Sequence, residues 1–82
     1  MPENEHVVAM PRLGVAMQEG TIVKWMKSAG EEVAAGEILL TIENDKVEID
    51  VEATWSGVVV ELLADEGDVV PVLHPIARIR AT

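Results

Sequence analysis

Ile38-Leu39-Leu40-Thr41-Ile42-Glu43-Asn44-Asp45-Lys46-Val47-Glu48-Ile49-Asp50-Val51-Glu52 is the stretch that decides the fold. It opens on an apolar run of strand length and crosses the polar Glu43-Asn44-Asp45-Lys46. It closes on strict alternation of apolar and acidic residues from Val47 to Glu52. Alternation with period two reads as a strand with one face buried. Two such segments joined by a short polar run read as a β-hairpin, with its turn expected at Asn44-Asp45. Lys46 then stands at the tip and faces solvent. An amine held there adds almost nothing to a core and is open to modification.

Working outward, further strands are expected at His6–Met10, Thr21–Met26, Glu32–Ala34, Ile38–Ile42, Val47–Val51, Val58–Leu63, Val69–Val72 and Ile76–Arg80. Turns fall at Ser28-Ala29-Gly30, Ala35-Gly36, Ser56-Gly57 and Glu66-Gly67-Asp68, where Gly and Asp suit positive φ or local side-chain hydrogen bonds. Pro11, Pro71 and Pro75 lie at strand ends, where a missing N–H costs little. No window carries a convincing helical period. Ala16–Lys27 comes nearest, but Gly20 and the β-branched Thr21-Ile22-Val23 favour a strand.

An internal repeat organises these strands. Gly20-Thr21-Ile22-Val23 aligns with Gly57-Val58-Val59-Val60 at an offset of 37 residues. The same offset pairs Gly30 with Gly67, Glu31 with Asp68, Val33 with Val70, Leu39 with Ile76 and Ile42 with Ile79. Two copies are too few for a solenoid. They imply a small all-β sandwich or barrel whose halves are related by a pseudo-twofold axis. Shifted by the same offset, Lys46 falls just past the C-terminus. The lysine hairpin and the chain ends are therefore expected at pseudo-equivalent places, at opposite ends of the domain.

Composition bounds the functions. The 82 residues make one domain, 1–82, with its core at about 7–80. They include no cysteine and two histidines, so neither a disulfide nor a structural metal is expected to hold the core together. The net charge of −9 argues against nucleic acid and against an anionic membrane surface. It keeps a small domain soluble, or steers it toward a basic partner. No apolar run approaches a membrane span. The start, Met1-Pro2-Glu3-Asn4-Glu5, is acidic and unlike a signal peptide, and no transit peptide is read, so a bacterial cytoplasm is expected over the mitochondrial matrix. Neither a Ser-His-Asp nor a Cys-His set is present, and the paired carboxylates sit on strand faces, so no catalytic residue is expected. His6 and His74 without a thiol make a poor metal site, and Asp65-Glu66-Gly67-Asp68 lacks calcium-loop spacing. Trp25 is expected in a strand, half-buried. Trp55 is placed against the barrel edge in preference to an exposed binding anchor.

Met10-Pro11-Arg12-Leu13-Gly14, Glu19-Gly20-Thr21-Ile22-Val23-Lys24-Trp25, Gly30-Glu31-Glu32-Val33, Ile42-Glu43-Asn44-Asp45-Lys46-Val47 and Glu66-Gly67-Asp68-Val69-Val70 together resemble a lipoyl domain. Such domains belong to the dihydrolipoamide acyltransferase component of 2-oxo acid dehydrogenase complexes. The resemblance runs from about Val7 to Arg80. It implies a flattened β-barrel or sandwich of two four-stranded sheets and lipoic acid in amide linkage to Lys46, making an N6-lipoyllysine. It also implies a non-catalytic swinging-arm carrier. The implied partners are a lipoate ligase or lipoyl transferase, a thiamine-diphosphate-dependent decarboxylase, an acyltransferase core and a dihydrolipoyl dehydrogenase. No nucleic acid or membrane is implied, and the domain is expected to be monomeric. Asp45 is the expected recognition residue, with Glu43, Glu48 and Val47 around the base of the arm. Gly14 and Val15 are expected near the hairpin, against the decarboxylase.

The sequence departs from the family pattern in places. Asn44 stands where the family often has Thr, and Val47 where it often has Ala. Leu73 replaces a glycine common near the last turn, and the repeat pairs Leu73 with Gly36. Leu73 is expected either to adopt an unusual turn or to fill a local contact. A biotin carrier domain is the first alternative, but its lysine has Met on both sides, unlike Asp45 and Val47. An unmodified interaction module of the same fold is the second. A glycine-cleavage hydrogen carrier is disfavoured by the short chain.

Overall fold

The computed structural model describes residues 4–81. Eight strands follow one another: β1 (Glu5–Ala9), β2 (Glu19–Trp25), β3 (Glu32–Val33), β4 (Ile38–Asn44), β5 (Val47–Glu52), β6 (Gly57–Leu62), β7 (Val69–Pro71) and β8 (Pro75–Ala81). They form two four-stranded antiparallel sheets, β1-β8-β6-β3 and β5-β4-β2-β7. The layers stack as a sandwich rather than closing into a barrel. The apolar face of each sheet meets the other in a core that includes Met10, Ile22, Leu39, Leu40, Ile42, Val59, Ile76 and Ile79. Ala16–Lys27 supplies β2 and no helix.

The sequence repeat is a structural repeat, residue by residue. In one sheet Ile22 faces Ile42, a bulge follows, and Lys24 faces Thr41. In the other Val59 faces Ile79, a bulge follows, and Glu61 faces Arg78. The bonds that extend the β3–β6 and β2–β7 ladders within each sheet repeat as well. Val59 N donates to Glu31 O and Gly30 N to Val59 O, while Ile22 N donates to Asp68 O and Gly67 N to Ile22 O. The turn caps repeat too: Glu31 accepts from Ser28 N at 2.7 Å, and Asp68 accepts from Asp65 N at 2.9 Å. Asp68 and Glu66, which accepts from Trp25 N, are thus engaged in holding turns.

The twofold relation pairs β1 with β5. β1 runs beside β8 as β5 runs beside β4, each with a bulge near its outer end. Ala81 N donates to Asn4 O at 2.7 Å, so the two chain ends meet where the other half has its Asn44↔Val47 pair. β5 leads away from Lys46, and Gly57, just beyond it, pairs with Ala81. The meeting of Asn4 with Ala81 and the lysine hairpin therefore lie at opposite ends of the sandwich.

Side chains reinforce the end where the termini meet. Glu5 is buried yet charged, and it accepts from Arg78 at 3.3 Å and Arg80 at 3.2 Å. A buried carboxylate needs such partners to offset its lost hydration. His6 stacks on Trp55 with ring centroids 4.4 Å apart and planes 2° from parallel, which leaves Trp55 half-buried at the edge. Trp25 is also half-buried, its indole Nε1 donating to Ala64 O at 2.9 Å.

Leu73 takes the first of its two expected courses. Its φ is +69°, close to the +90° of Gly36, and it is 69% exposed. It keeps the glycine turn and fills no contact.

Candidate functional site

The hairpin of β4 and β5 is tighter than the sequence suggested. β4 continues through Glu43 and Asn44, and Asn44 pairs with Val47. The turn is therefore Asp45-Lys46, one residue beyond the expected Asn44-Asp45. Both residues have positive φ, +53° and +65°. Two central residues in the left-handed region make a type I′ turn, whose twist matches the strands it joins. Asp accepts this conformation more readily than most residues, because its short side chain bonds locally. Lys46 gains no such help and is held there by the strands on either side.

Lys46 is exposed at the tip. Among the described residues no ion pair includes it, whereas Lys27, Arg78 and Arg80 are each paired with carboxylates. Beneath the tip Glu43 lies directly across from Glu48, two like charges facing each other. In the other half the corresponding pair is Arg80 and Glu5, of opposite charge. The lysine end is thus acidic where its twin is neutralised. Like charges in register cost stability, so nothing in the packing calls for this pair.

The loop after β1 reaches this end. Leu13, Gly14, Val15, Ala16 and Met17 line a shallow groove of about 430 Å³ with Asn44, Asp45 and Ile49. Met17 N donates to Gly14 O at 3.1 Å, folding the loop back on itself. Val15 is 99% exposed, and Leu13 is also open to solvent. Gly14 and Val15 therefore lie beside Asp45, as expected. Glu43 and Val47 border the tip without lining the groove. Val47 ends the apolar face of β5, whose inner members Ile49 and Val51 pack on the core.

Two residues at this end were missed from sequence. Ile49 was read only as one step of the alternation, which already placed it on the face of Val47. Leu13 sits in an irregular loop with no period to mark it. His74 engages the fold through its backbone, donating from N to Pro71 O and accepting from Met10 N, well apart from His6 and its stack.

The family model described as "Biotin-requiring enzyme" matches residues 6–79. The chain is 46% identical over 72 residues to the dihydrolipoyllysine-residue acetyltransferase component of the pyruvate dehydrogenase complex of Corynebacterium glutamicum, covering 88% of this chain and 11% of that protein. It is 44% identical over 77 residues to the dihydrolipoyllysine-residue succinyltransferase component of the 2-oxoglutarate dehydrogenase complex of Staphylococcus saprophyticus, covering 94% of this chain and 17% of that protein. The chain thus spans a small part of the relatives it matches. Among solved structures, the lipoyl domain of the 2-oxoglutarate dehydrogenase complex of Azotobacter vinelandii superposes with a TM-score of 0.74 at 32% identity, covering 89% of this chain and 92% of that one. The urea carboxylase of Kluyveromyces lactis contains a similar fold, with a TM-score of 0.78 at 29% identity over 96% of this chain and 6% of that one. With the family matched over residues 6–79, and a lipoyl domain matched over most of both chains, this chain belongs to the biotin and lipoyl domain family and is a lipoyl domain within it.

Proposed function

We propose that Lys46 carries lipoic acid as an N6-lipoyllysine and that the domain is a swinging-arm carrier in a 2-oxo acid or acetoin dehydrogenase complex. The observation that carries this reading is a solvent-exposed lysine with no ion pair among the described residues, fixed at the tip of a type I′ turn at the end remote from Asn4 and Ala81. The amine fits the group. Acylating it breaks no contact of the fold and takes the net charge from −9 to −10. When bound, the dithiolane supplies a site that takes up an acyl group with two electrons and releases each to a different enzyme.

The rest of the work belongs to the chain. Lys46 holds the amide and sets where the arm begins. The paired strands keep that point still, so a visiting active site meets one geometry. Glu43, Asp45 and Glu48 give the base of the arm a negative field for the lipoate ligase or the thiamine-diphosphate-dependent decarboxylase to read. Val15 and Leu13 offer an apolar edge beside it. The domain itself reacts with nothing; it raises the effective concentration of its cargo at the acyltransferase core and the dihydrolipoyl dehydrogenase. The relatives divide between acetyl- and succinyltransferases, so the proposal is made for 2-oxo acids as a class.

Incubation of the purified domain with lipoate, ATP and a lipoate ligase tests this by intact mass. One lipoyl adduct is expected on the native chain and none on Lys46→Ala, with Lys24 and Lys27 unmodified. A folded native domain that gains no mass, or an adduct that survives Lys46→Ala, refutes the assignment. A gain with biotin and biotin ligase in its place would support the biotin alternative.

A further inference from the structure

We infer that Asn44 is a positioning residue for Lys46, acting by extending the β2–β4 ladder with its side chain. This rests on the reading of Lys46 as the modified residue. The backbone pairing of β2 with β4 ends at Thr21 and Glu43. One residue further toward the tip, Asn44 Nδ2 donates to Glu19 O at 3.0 Å. On its other side Asn44 pairs through the backbone with Val47. Asn44 is thus gripped from both neighbouring strands, and the next two residues enter the left-handed region that L side chains avoid. A turn so strained keeps its shape only if its base is fixed.

The interaction also breaks the twofold repeat. The counterpart of Asn44 in the other half is Ala81, which has no side-chain donor and bonds Asn4 through its backbone. The ladders, the bonds that extend them and the Ser28–Glu31 and Asp65–Asp68 turn caps repeat between the halves, while among the described residues this bond exists only at the lysine end. The nearest other side-chain bond in the hairpin, Thr41 Oγ1 to Asp50 Oδ1 at 2.9 Å, lies three residues back from Asn44. It ties β4 to β5 but does not reach β2.

Three variants test the inference: Asn44→Ala, which removes the amide, Asn44→Asp, which keeps its shape without the donor, and Thr41→Val as the control. Amide exchange at Asp45, Lys46 and Val47 is measured beside the steady-state kinetics of lipoylation. With a single net hydrogen bond lost, exchange at these amides should quicken about fivefold in both Asn44 variants. The apparent KM of the ligase for the domain should rise by a similar factor, because the competent turn is less populated, with kcat unchanged. Thr41→Val should leave both readouts at the native value. Unchanged exchange and KM in the Asn44 variants, or an equal rise in KM for Thr41→Val, overturns the inference. If the native domain takes no lipoyl group, the carrier reading fails, and exchange alone decides whether Asn44 fixes the turn.

Discussion

Gly20 and Gly57 hold the same place in the two halves, facing Val70 and Val33, yet alanine should be tolerated at one and ruinous at the other. A Cβ on Gly57 would lie 2.1 Å from Arg80 O and 2.8 Å from Arg80 C, both backbone atoms of β8. A Cβ on Gly20 would lie 2.9 Å from Met10 Sδ and 3.3 Å from Met17 Cε, the far ends of flexible side chains. Methionine has rotatable bonds with which to yield. Overpacking near Gly20 then costs about 1–2 kcal/mol, offset by roughly 0.5–1 kcal/mol because alanine loses less chain entropy on folding than glycine. The net change at Gly20→Ala is between about 0 and 1.5 kcal/mol.

At Gly57, β8 can move only by giving up its pairing with β6 at Gly57↔Ala81 and Val58↔Arg80. Overpacking of about 3 kcal/mol plus roughly two ladder hydrogen bonds at about 1 kcal/mol each gives about 5 kcal/mol. The total stability expected for 82 residues is only about 4–12 kcal/mol. Urea unfolding followed by tryptophan fluorescence, with a common slope, measures both variants. Gly57→Ala should lose about 5 kcal/mol and lower the Tm by at least about 20 °C. Equal costs at the two sites, or a Gly57→Ala cost near 1 kcal/mol, would refute the reasoning.

Leu73→Gly should stabilise the domain, because relief of a positive φ (about 1–2 kcal/mol) exceeds the entropy glycine adds to the unfolded chain (about 0.5–1 kcal/mol). A rise in Tm of a few degrees is expected, and a fall would show that the exposed leucine is held by contacts after all. The hydrogen bond from Ala34 N, helped by Lys27, holds the Glu37 carboxyl below the usual glutamate range. A lowered folded pKa stabilises above the unfolded value and is lost as pH falls through the folded one, so native and Glu37→Gln domains should converge in stability at acid pH. In Lys27→Ala the NMR titration midpoint of Glu37 should move only part of the way back, since the largest single contribution comes from the Ala34 N–H; a complete return would show that the Ala34 bond contributes nothing.

The repeat was legible because its landmarks are chemically forced. Gly30 and Gly67 share a φ of +94°, and buried Val33, Ile42, Val70 and Ile79 recur at one spacing. The equivalence of β1 and β5 was not legible at residue level. Glu5-His6-Val7-Val8-Ala9 has nothing of the alternation in Glu48-Ile49-Asp50-Val51-Glu52, and pairing rather than side-chain type relates the two strands. Glu43 and Asn44 looked like turn residues because they are polar, but a strand that ends at an exposed tip is polar there too. Burial of Glu5 was hidden by its acidic neighbours, since its two arginines lie more than seventy residues away in sequence. The site itself was legible in part. Lys46 and Asp45 are local in sequence, whereas the approach of Gly14 and Val15 depends on how the loop after β1 folds back.

The meeting of Asn4 and Ala81 has a mechanical consequence. A pull applied between those two residues loads β1 against β8 at its outermost hydrogen bond, so the strands peel apart pair by pair, a geometry that resists far less force than shear along a ladder. The clamp of Glu5 on Arg78 and Arg80 sits at the first pairs to open and sets the threshold. Lys46 lies at the far end of the β4–β5 hairpin, outside the loaded path. Tension on the ends would reach the lysine turn only after β1 has come away.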